Sequence, residues 1–473
     1  MKVIAPASKD VIQKIQEQVY DNNGNYRLIR YHKAVPAEEG MLLYNLFTSE
    51  LVLITKTEWE CLLHNTLHFY NDLLYRYLVT HWFLIPEDYD EKTMACLLKN
   101  AYRKKEYLSN YFSTYTILTT TDCNARCFYC YEKGEKRVPM DKQVAIDVAK
   151  FIVAHSDPEK TIRFAWFGGE PLFNSDVIDI ICRYVGDHGF RYYSTMISNA
   201  YLFDTEMVQR AVDIWKLERV QVTLDGMAGT YNQTKAYIYK DPNAFDRVIS
   251  NISHLLHADI NVSIRMNVTE KNASELYQAV DLLDSQFHNS HNLYIYAAAL
   301  FENLENNLLV RTDVEREQLY DELFKLEDYI AEKGLFSKPV INTPGVNTIH
   351  CMADNPESVL ISPEGNLGSC EHHINDDFFG SIYSHRLNKD YASIAAWKAY
   401  ADEIPACKTC FYYPKCIRLK LCATNSCCNA QTQREKERDT NRLILNTFER
   451  YSKNNRDVID HFTKQTIKKE NLS

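Results

Sequence analysis

A chain of 473 residues, 45% apolar and 25% charged with 14 glycines and 13 prolines, has the composition of an ordinary globular protein and the length for about two to four domains. A net charge of −10 argues against a nucleic-acid backbone as the main partner, since such binders carry a basic footprint. No apolar run approaches the length that spans a bilayer, and residues 1–15 lack an apolar core with a cleavage site, so no membrane partner and a cytoplasmic location are expected.

In the first 100 residues, Met41–Asn45 and Leu51–Ile54 are apolar runs joined by Phe47-Thr-Ser-Glu50, a hairpin pattern. Thr57-Glu-Trp-Glu60 reads as a capping box opening a helix. A second helical pattern covers 66–78, and His81–Ile85 before Pro86 reads as a returning strand. From 112 onward strand and helix patterns alternate. Strands are expected over Tyr115–Thr120, Ile162–Phe167, Tyr192–Ile197, Val220–Leu224, Asn261–Val268 and Asn292–Ala298, with helices near 141–154, 204–216 and 271–287. Six such units imply a parallel sheet with helices outside it, and reactive groups on the loops after the strands.

Cysteine placement carries the chemistry. Fourteen thiols without a leader point to metal rather than disulfides. Three form Cys123-x3-Cys127-x2-Cys130 directly after the first barrel strand; eight crowd between Cys351 and Cys428; Cys61, Cys96 and Cys182 are scattered in apolar helical contexts and read as small buried hydrophobes. A [4Fe–4S] cube offers four irons, so three thiolates leave one iron open for another ligand. A zinc site, usually closed by four ligands, is the competing reading. After the second strand, Trp166-Phe-Gly-Gly-Glu-Pro171 joins two glycines that admit close backbone approach to an acceptor, Glu170, and a turn fixed by Pro171.

Together these stretches resemble the radical S-adenosylmethionine enzymes, over about 112–430. The resemblance implies a partial (β/α)6 barrel in which S-adenosylmethionine chelates the open iron of the Cys123/Cys127/Cys130 cluster and is split to a 5′-deoxyadenosyl radical. It places Tyr129 against the adenine, makes Gly168, Gly169, Glu170 and Pro171 the site of the methionine ammonium, and offers Ser198, Asn199 and Thr223 as further cofactor contacts. Two departures stand out: Ala200 where relatives often carry glycine, and Tyr231-Asn-Gln-Thr-Lys235 where they often carry His-Asp-x-x-Arg. Arg265, assigned with the cofactor-binding residues, alternates with apolar neighbours beside Asn267 and would point into the barrel, the two forming a polar pair at its mouth.

The second cysteine region resembles the SPASM domain, a module holding auxiliary [4Fe–4S] clusters. The turn Pro363-Glu-Gly-Asn366 would fold a hairpin bringing Cys351 to Cys370. By the resemblance, Cys407, Cys410, Cys416 and either Cys427 or Cys428 ligate an outer cluster. Cys351, Cys370 and Cys422 ligate an inner one whose fourth ligand is open, His372 or the remaining member of the Cys427/Cys428 pair. A zinc ribbon on Cys407, Cys410, Cys416 and Cys422 is the alternative. Glu371 stands where sulfatase-maturating relatives keep a catalytic base.

The organisation expected is therefore a winged-helix-like peptide-recognition domain (1–105), which would hold a leader peptide by strand addition or else merely cap the barrel, then the partial barrel (106–300). A connecting helix (301–345, strongest over Asp313–Lys333), the SPASM domain (346–430) and a C-terminal helix and tail (431–473) follow. That last helix would lay an edge of Leu443, Leu445 and Phe448 on the barrel and turn its charges to solvent. The activity implied is cross-linking of a ribosomally made precursor peptide, first a thioether, with three [4Fe–4S] clusters, S-adenosylmethionine and an electron donor such as flavodoxin or ferredoxin. A formylglycine-forming sulfatase-type maturase and a non-catalytic iron–sulfur or zinc scaffold are the alternatives.

Overall fold

The computed structural model describes residues 1–470 except 17, 22–23, 107–110, 135, 301–310, 337–338, 342–350, 374–377, 385–396, 398–406, 408, 417–420, 423–427 and 429. Cys427 and the stretches 301–310 and 342–350 of the expected connecting segment thus lie outside the described residues.

The N-terminal unit runs β1 (Lys2–Ala5), α1 (Lys9–Ile15), β2 (Tyr26–Leu28), β3 (His32–Ala37), β4 (Gly40–Asn45), β5 (Leu51–Ile54), α2 (Lys56–Leu63), α3 (Leu67–Tyr70), α4 (Asp72–Thr80), β6 (Leu84–Pro86) and α5 (Glu91–Glu106). The expected hairpin is β4–β5, registered Met41 to Ile54 and Tyr44 to Leu51. Its strands are apolar at successive positions because both sheet faces are covered. Leu42, Tyr44, Leu51 and Leu53 join one core, and Leu43, Val52 and Ile54 the other, against α2–α4.

Three expectations here are corrected. The capping box sits two residues early: Thr55 accepts from the Glu58 N–H and Glu58 from the Thr55 N–H. Both Thr55 and Thr57 fit the spacing, and the choice falls to tertiary contact, since Asn71 Nδ2 donates to the other Glu58 oxygen at 2.8 Å. The pattern at 66–78 is two helices, broken at Asn71, which caps the second through Leu74 N–H. The returning strand shortens to Leu84–Pro86 and pairs with β2, because the hairpin's own edges are taken by β1 and β3 in the order β1-β5-β4-β3.

The second unit is α/β with a mostly parallel sheet, as expected: β7 (Thr114–Thr120), α6 (Lys142–His155), β8 (Ile162–Gly168), α7 (Ser175–Asp187), β9 (Tyr192–Ser198), α8 (Thr205–Asp213), β10 (Leu217–Leu224), α9 (Ala228–Lys235), α10 (Ala244–His257), β11 (Asn261–Val268), α11 (Ala273–Phe287), β12 (Leu293–Ala299) and α12 (Asp313–Glu332). Strands β7 to β12 lie side by side in chain order, all parallel, with β12 and β7 unpaired to each other, which fits an open (β/α)6 arrangement. The hairpin β13 (Ser358–Ile361) and β14 (Asn366–Gly368), turned at Gly365 with φ +84°, does not stand apart: β13 extends the same sheet parallel to β7, and β15 (Phe378–Ser381) closes it.

The last helix, α13 (Ala430–Glu470), departs from the expected contact. Ile444 is fully buried in the core of the N-terminal unit with Leu443 and Phe448 beside it, whereas Leu445 is 44% exposed. Two of its arginines leave the solvated face: Arg438 and Arg442 both pair with Glu327 of α12 at low exposure.

Candidate active site

The three-cysteine loop leaves β7 and is stitched to the loop after β8. Gly169 N–H donates to Thr120 O at 3.1 Å and Glu170 N–H to Asp122 O at 3.0 Å. A Cβ on Gly168, whose φ is +116°, would stand 2.1 Å from Thr120 O, and one on Gly169 2.3 Å from Asp122 O. The close approach those glycines permit is therefore to the cysteine loop itself, where sequence reading expected a ligand. Pro171 begins a 3-10 turn and accepts from Thr119 Oγ1.

Glu170 is buried. One oxygen accepts from Ser198 Oγ (2.8 Å) and Leu172 N–H (3.2 Å), the other from Asn199 N–H (2.8 Å). Burial outweighs these bonds and pushes its carboxyl up to about 7. Asn199 continues the chain of contacts, its Nδ2 donating to Asn124 Oδ1 at 2.6 Å and lying 3.8 Å from Cys123 Sγ. Ser198 and Asn199 thus hold Glu170 to the cysteine loop. Ala200 takes φ +61°, the left-handed conformation that glycine adopts without strain.

A second group of contacts grips the loop from the opposite side. Lys235, at the end of α9, is buried and gives all three ammonium protons: to Thr223 Oγ1 (2.6 Å), Tyr129 OH (3.0 Å) and Asp225 Oδ2 (2.9 Å). Burial works against its charge, but the Asp225 carboxylate prevails and holds the ammonium well above the usual lysine range. The Tyr129 hydroxyl reaches both Asp225 oxygens at 3.0 Å, and Asn267 Nδ2 donates to Asp225 Oδ1 at 2.8 Å while Arg265 Nε donates to Asn267 Oδ1 at 3.0 Å. The expected Arg265–Asn267 polar pair is therefore present, and it leads to Tyr129. The backbone closes the grip: Arg126 N–H donates to Lys235 O and Ile238 N–H to Asn124 O. Sequence reading does not single out Lys235 or Asp225 as site residues. Their only signals there are the departure at Lys235 and the strand-end run Thr223-Leu-Asp-Gly226.

Cys123, Cys127 and Cys130 share one neighbourhood, and burial raises all three thiols, Cys123 to about 12 and Cys130 to about 11. In the C-terminal region the hairpin brings Cys351 near Cys370, as its turn predicts, and Cys422, Ala353 and Trp397 pack with them. Cys407, Cys410, Cys416 and Cys428 form a separate neighbourhood. Cys422 therefore stands with Cys351 and Cys370, not with the three cysteines of the expected ribbon. Among the described residues no three Cys, His, Asp or Glu groups converge on a single-ion position. A four-iron cube instead takes thiolates at its separate corners, and three thiols in one buried neighbourhood fit that donor set.

Glu371 and His372 follow Cys370 directly. The His372 ring lies 4.4 Å from that of Tyr131, next to Cys130, so the two cysteine loops touch. Glu371 Oε2 is buried without a hydrogen-bond partner among the described residues. Of the scattered thiols, Cys182 is buried as expected, but Cys61 and Cys96 are half-buried, and Cys96 Sγ meets Tyr413 OH at 2.7 Å.

Residues 117–283 match the model of the Radical SAM superfamily. Among curated proteins, the chain is 24% identical over 173 residues to the sporulation killing factor maturation protein SkfB of Bacillus subtilis, covering 35% of this chain and 38% of that one. It is 22% identical over 186 residues to the pre-heme d1 synthase of Dinoroseobacter shibae, covering 37% and 42%. The match thus spans less than half the length of either relative. Among solved structures it is similar to anSMEcpe with bound AdoMet (TM-score 0.49, 15% identity, 72% of this chain and 98% of that). It is also similar to Streptococcus suis SuiB bound to precursor peptide SuiA (TM-score 0.49, 13% identity, 83% and 94%).

Proposed function

For a chain whose residues 117–283 form a radical SAM domain, we propose an enzyme that modifies a ribosomally made precursor peptide, installing a thioether first of all. The observation that carries it is the Cys123/Cys127/Cys130 loop clamped between the Glu170 loop and the Lys235 segment at the ends of the parallel strands. A [4Fe–4S] cluster with S-adenosylmethionine, when bound, would supply radical hydrogen-abstraction chemistry. The chain's own part is to hold and shield. Cys123, Cys127 and Cys130 would ligate the cluster; Glu170, backed by Ser198 and Asn199, would receive the methionine ammonium; Gly168, Gly169 and Pro171 keep that carboxylate against the loop; Tyr129, Thr223 and Arg265 would be further cofactor contacts. The hairpin and the Cys370 loop cover the site from water.

Auxiliary clusters are assigned to Cys351/Cys370/Cys422 and to Cys407/Cys410/Cys416 with Cys427 or Cys428, and Glu371 to the removal of a substrate proton, a role its unpartnered buried oxygen supports. The N-terminal unit is assigned to leader recognition, and a small flavodoxin- or ferredoxin-like protein to electron supply. The name of SkfB, a maturation protein for a killing factor, supports a peptide substrate. Formylglycine formation is the second reading, favoured by Glu371 next to Cys370. Among the described residues no helix is long and apolar enough to cross a membrane; a cytoplasmic location is proposed.

The test is anaerobic reconstitution, with iron and sulfide counting and dithionite-driven cleavage of S-adenosylmethionine in one sample. About twelve irons per chain and 5′-deoxyadenosine are expected; a Cys123/Cys127/Cys130→Ala variant should lose about four irons and all cleavage. Bound zinc with no cleavage overturns the enzyme in favour of a metal-stapled scaffold.

A further inference from the structure

Helix α13 sends Lys436 into the neighbourhood of Cys407, Cys410, Cys416 and Cys428. Its Nζ lies 3.5 Å from Cys428 Sγ and 3.7 Å from Cys416 Sγ, and 5.5 Å from the centre of the Tyr412 ring. Among the described residues this ammonium has no carboxylate partner; its polar partners are the two sulfurs. A half-buried cation aimed at two neutral thiols is poorly compensated, whereas aimed at two thiolates it makes charge-assisted N–H···S bonds. Before it Arg434 pairs with Asp321 of α12 at 2.5 Å, and after it Glu437 pairs with Lys33 of β3 at 2.8 Å and Ile444 is buried in the N-terminal core, so the helix carrying the cation is anchored on both sides of it.

We propose that Lys436 is a positioning residue of a four-thiolate site made by Cys407, Cys410, Cys416 and Cys428, donating to the thiolates of Cys416 and Cys428. This rests on the iron–sulfur reading above and deepens it. Cys428, whose Sγ lies 3.5 Å from the Lys436 ammonium, is taken as the fourth ligand. Lys436 also acts electrostatically. A cube held by four thiolates is already anionic, one-electron reduction adds a further negative charge, and a fixed cation bonded to two of its sulfurs favours the reduced state. Lys436 therefore raises the reduction potential of this cluster and of no other.

The test uses the full chain, anaerobically reconstituted, with redox titration followed by electron paramagnetic resonance and with metal counting. In Lys436→Met the iron content stays and one cluster moves to a more negative potential, the others holding; Lys436→Arg keeps the parent value. Cys428→Ala loses about four irons and Cys427→Ala none. Iron lost in Lys436→Met but regained in Lys436→Arg also supports the assignment. Potentials unchanged in Lys436→Met, equal shifts or losses in the Met and Arg variants, or iron lost in Cys427→Ala instead of Cys428→Ala each overturn it. Failure of the underlying reading is separately visible, as a parent chain that holds zinc or no metal at these cysteines, and it takes the proposal with it.

Discussion

Glu170 shows how one side chain couples burial to pH. Its carboxyl titrates near 7 in the fold against 4.5 unfolded, because burial penalises the charge. The folded metal-free protein thus binds the extra proton, and this group's contribution to stability is full below about pH 4.5 and lost as pH rises to about 7, on the order of 3 kcal/mol. Urea unfolding of the metal-free chain between pH 5 and 8 should show that decline, and Glu170→Gln should flatten it relative to the parent. Lys235 is the opposite case, a buried charge fully paired. Lys235→Met leaves the Asp225 carboxylate buried without its cation and should cost about 3 to 5 kcal/mol, read as a lowered denaturation midpoint, while Asp225→Asn with Lys235→Met should recover part of the loss.

At the scale of elements, the loop after β8 fits the cysteine loop only because it lacks two Cβ atoms. Gly169→Ala would press a methyl into Asp122 O and shift the loop, so the variant should fold but bind iron at Cys123, Cys127 and Cys130 weakly, seen as a deficit of about four irons. The short turn carrying Cys407, Cys410 and Cys416 is tied to the N-terminal unit in a comparable way. Tyr413 is buried in that unit's core, stacked 6.1 Å from Tyr31, and Lys415 Nζ donates to Ser49 Oγ at 2.8 Å, in the turn between β4 and β5.

For the whole molecule, the N-terminal unit completes its core with residues from the far end of the chain: Tyr413 from the cysteine-bearing turn and Ile444 from α13. Ile444→Ala should destabilise the N-terminal unit by about 2 to 5 kcal/mol, detected as faster amide exchange in β3, β4 and β5 than in β8 to β11. Removing residues 430–473 should have a larger effect on the same strands. The N-terminal unit and the cysteine-bearing C-terminal region are thereby joined through a shared core.

Local order along the chain was enough to reveal the strand–helix alternation, five of the six barrel strands to within a residue or two at each end, and the cysteine loop with its Gly-Gly-Glu-Pro partner, because period, turn chemistry and ligand spacing are local. The Pro363–Asn366 turn also foretold that Cys351 and Cys370 come together, whereas Cys422 joins them from far along the chain. The start of β10 was missed by three residues, since Leu217–Arg219 carry charge among apolar positions yet pair with β9. Long-range packing, by contrast, settles which capping box is used, which strands receive the edges of the N-terminal hairpin, where α13 lies, and that Lys235 is a buried three-way donor. Each of those depends on partners far away in the chain. A lysine, an asparagine or an exposed-looking helix face reads the same in sequence whether its partner is water or a buried carboxylate.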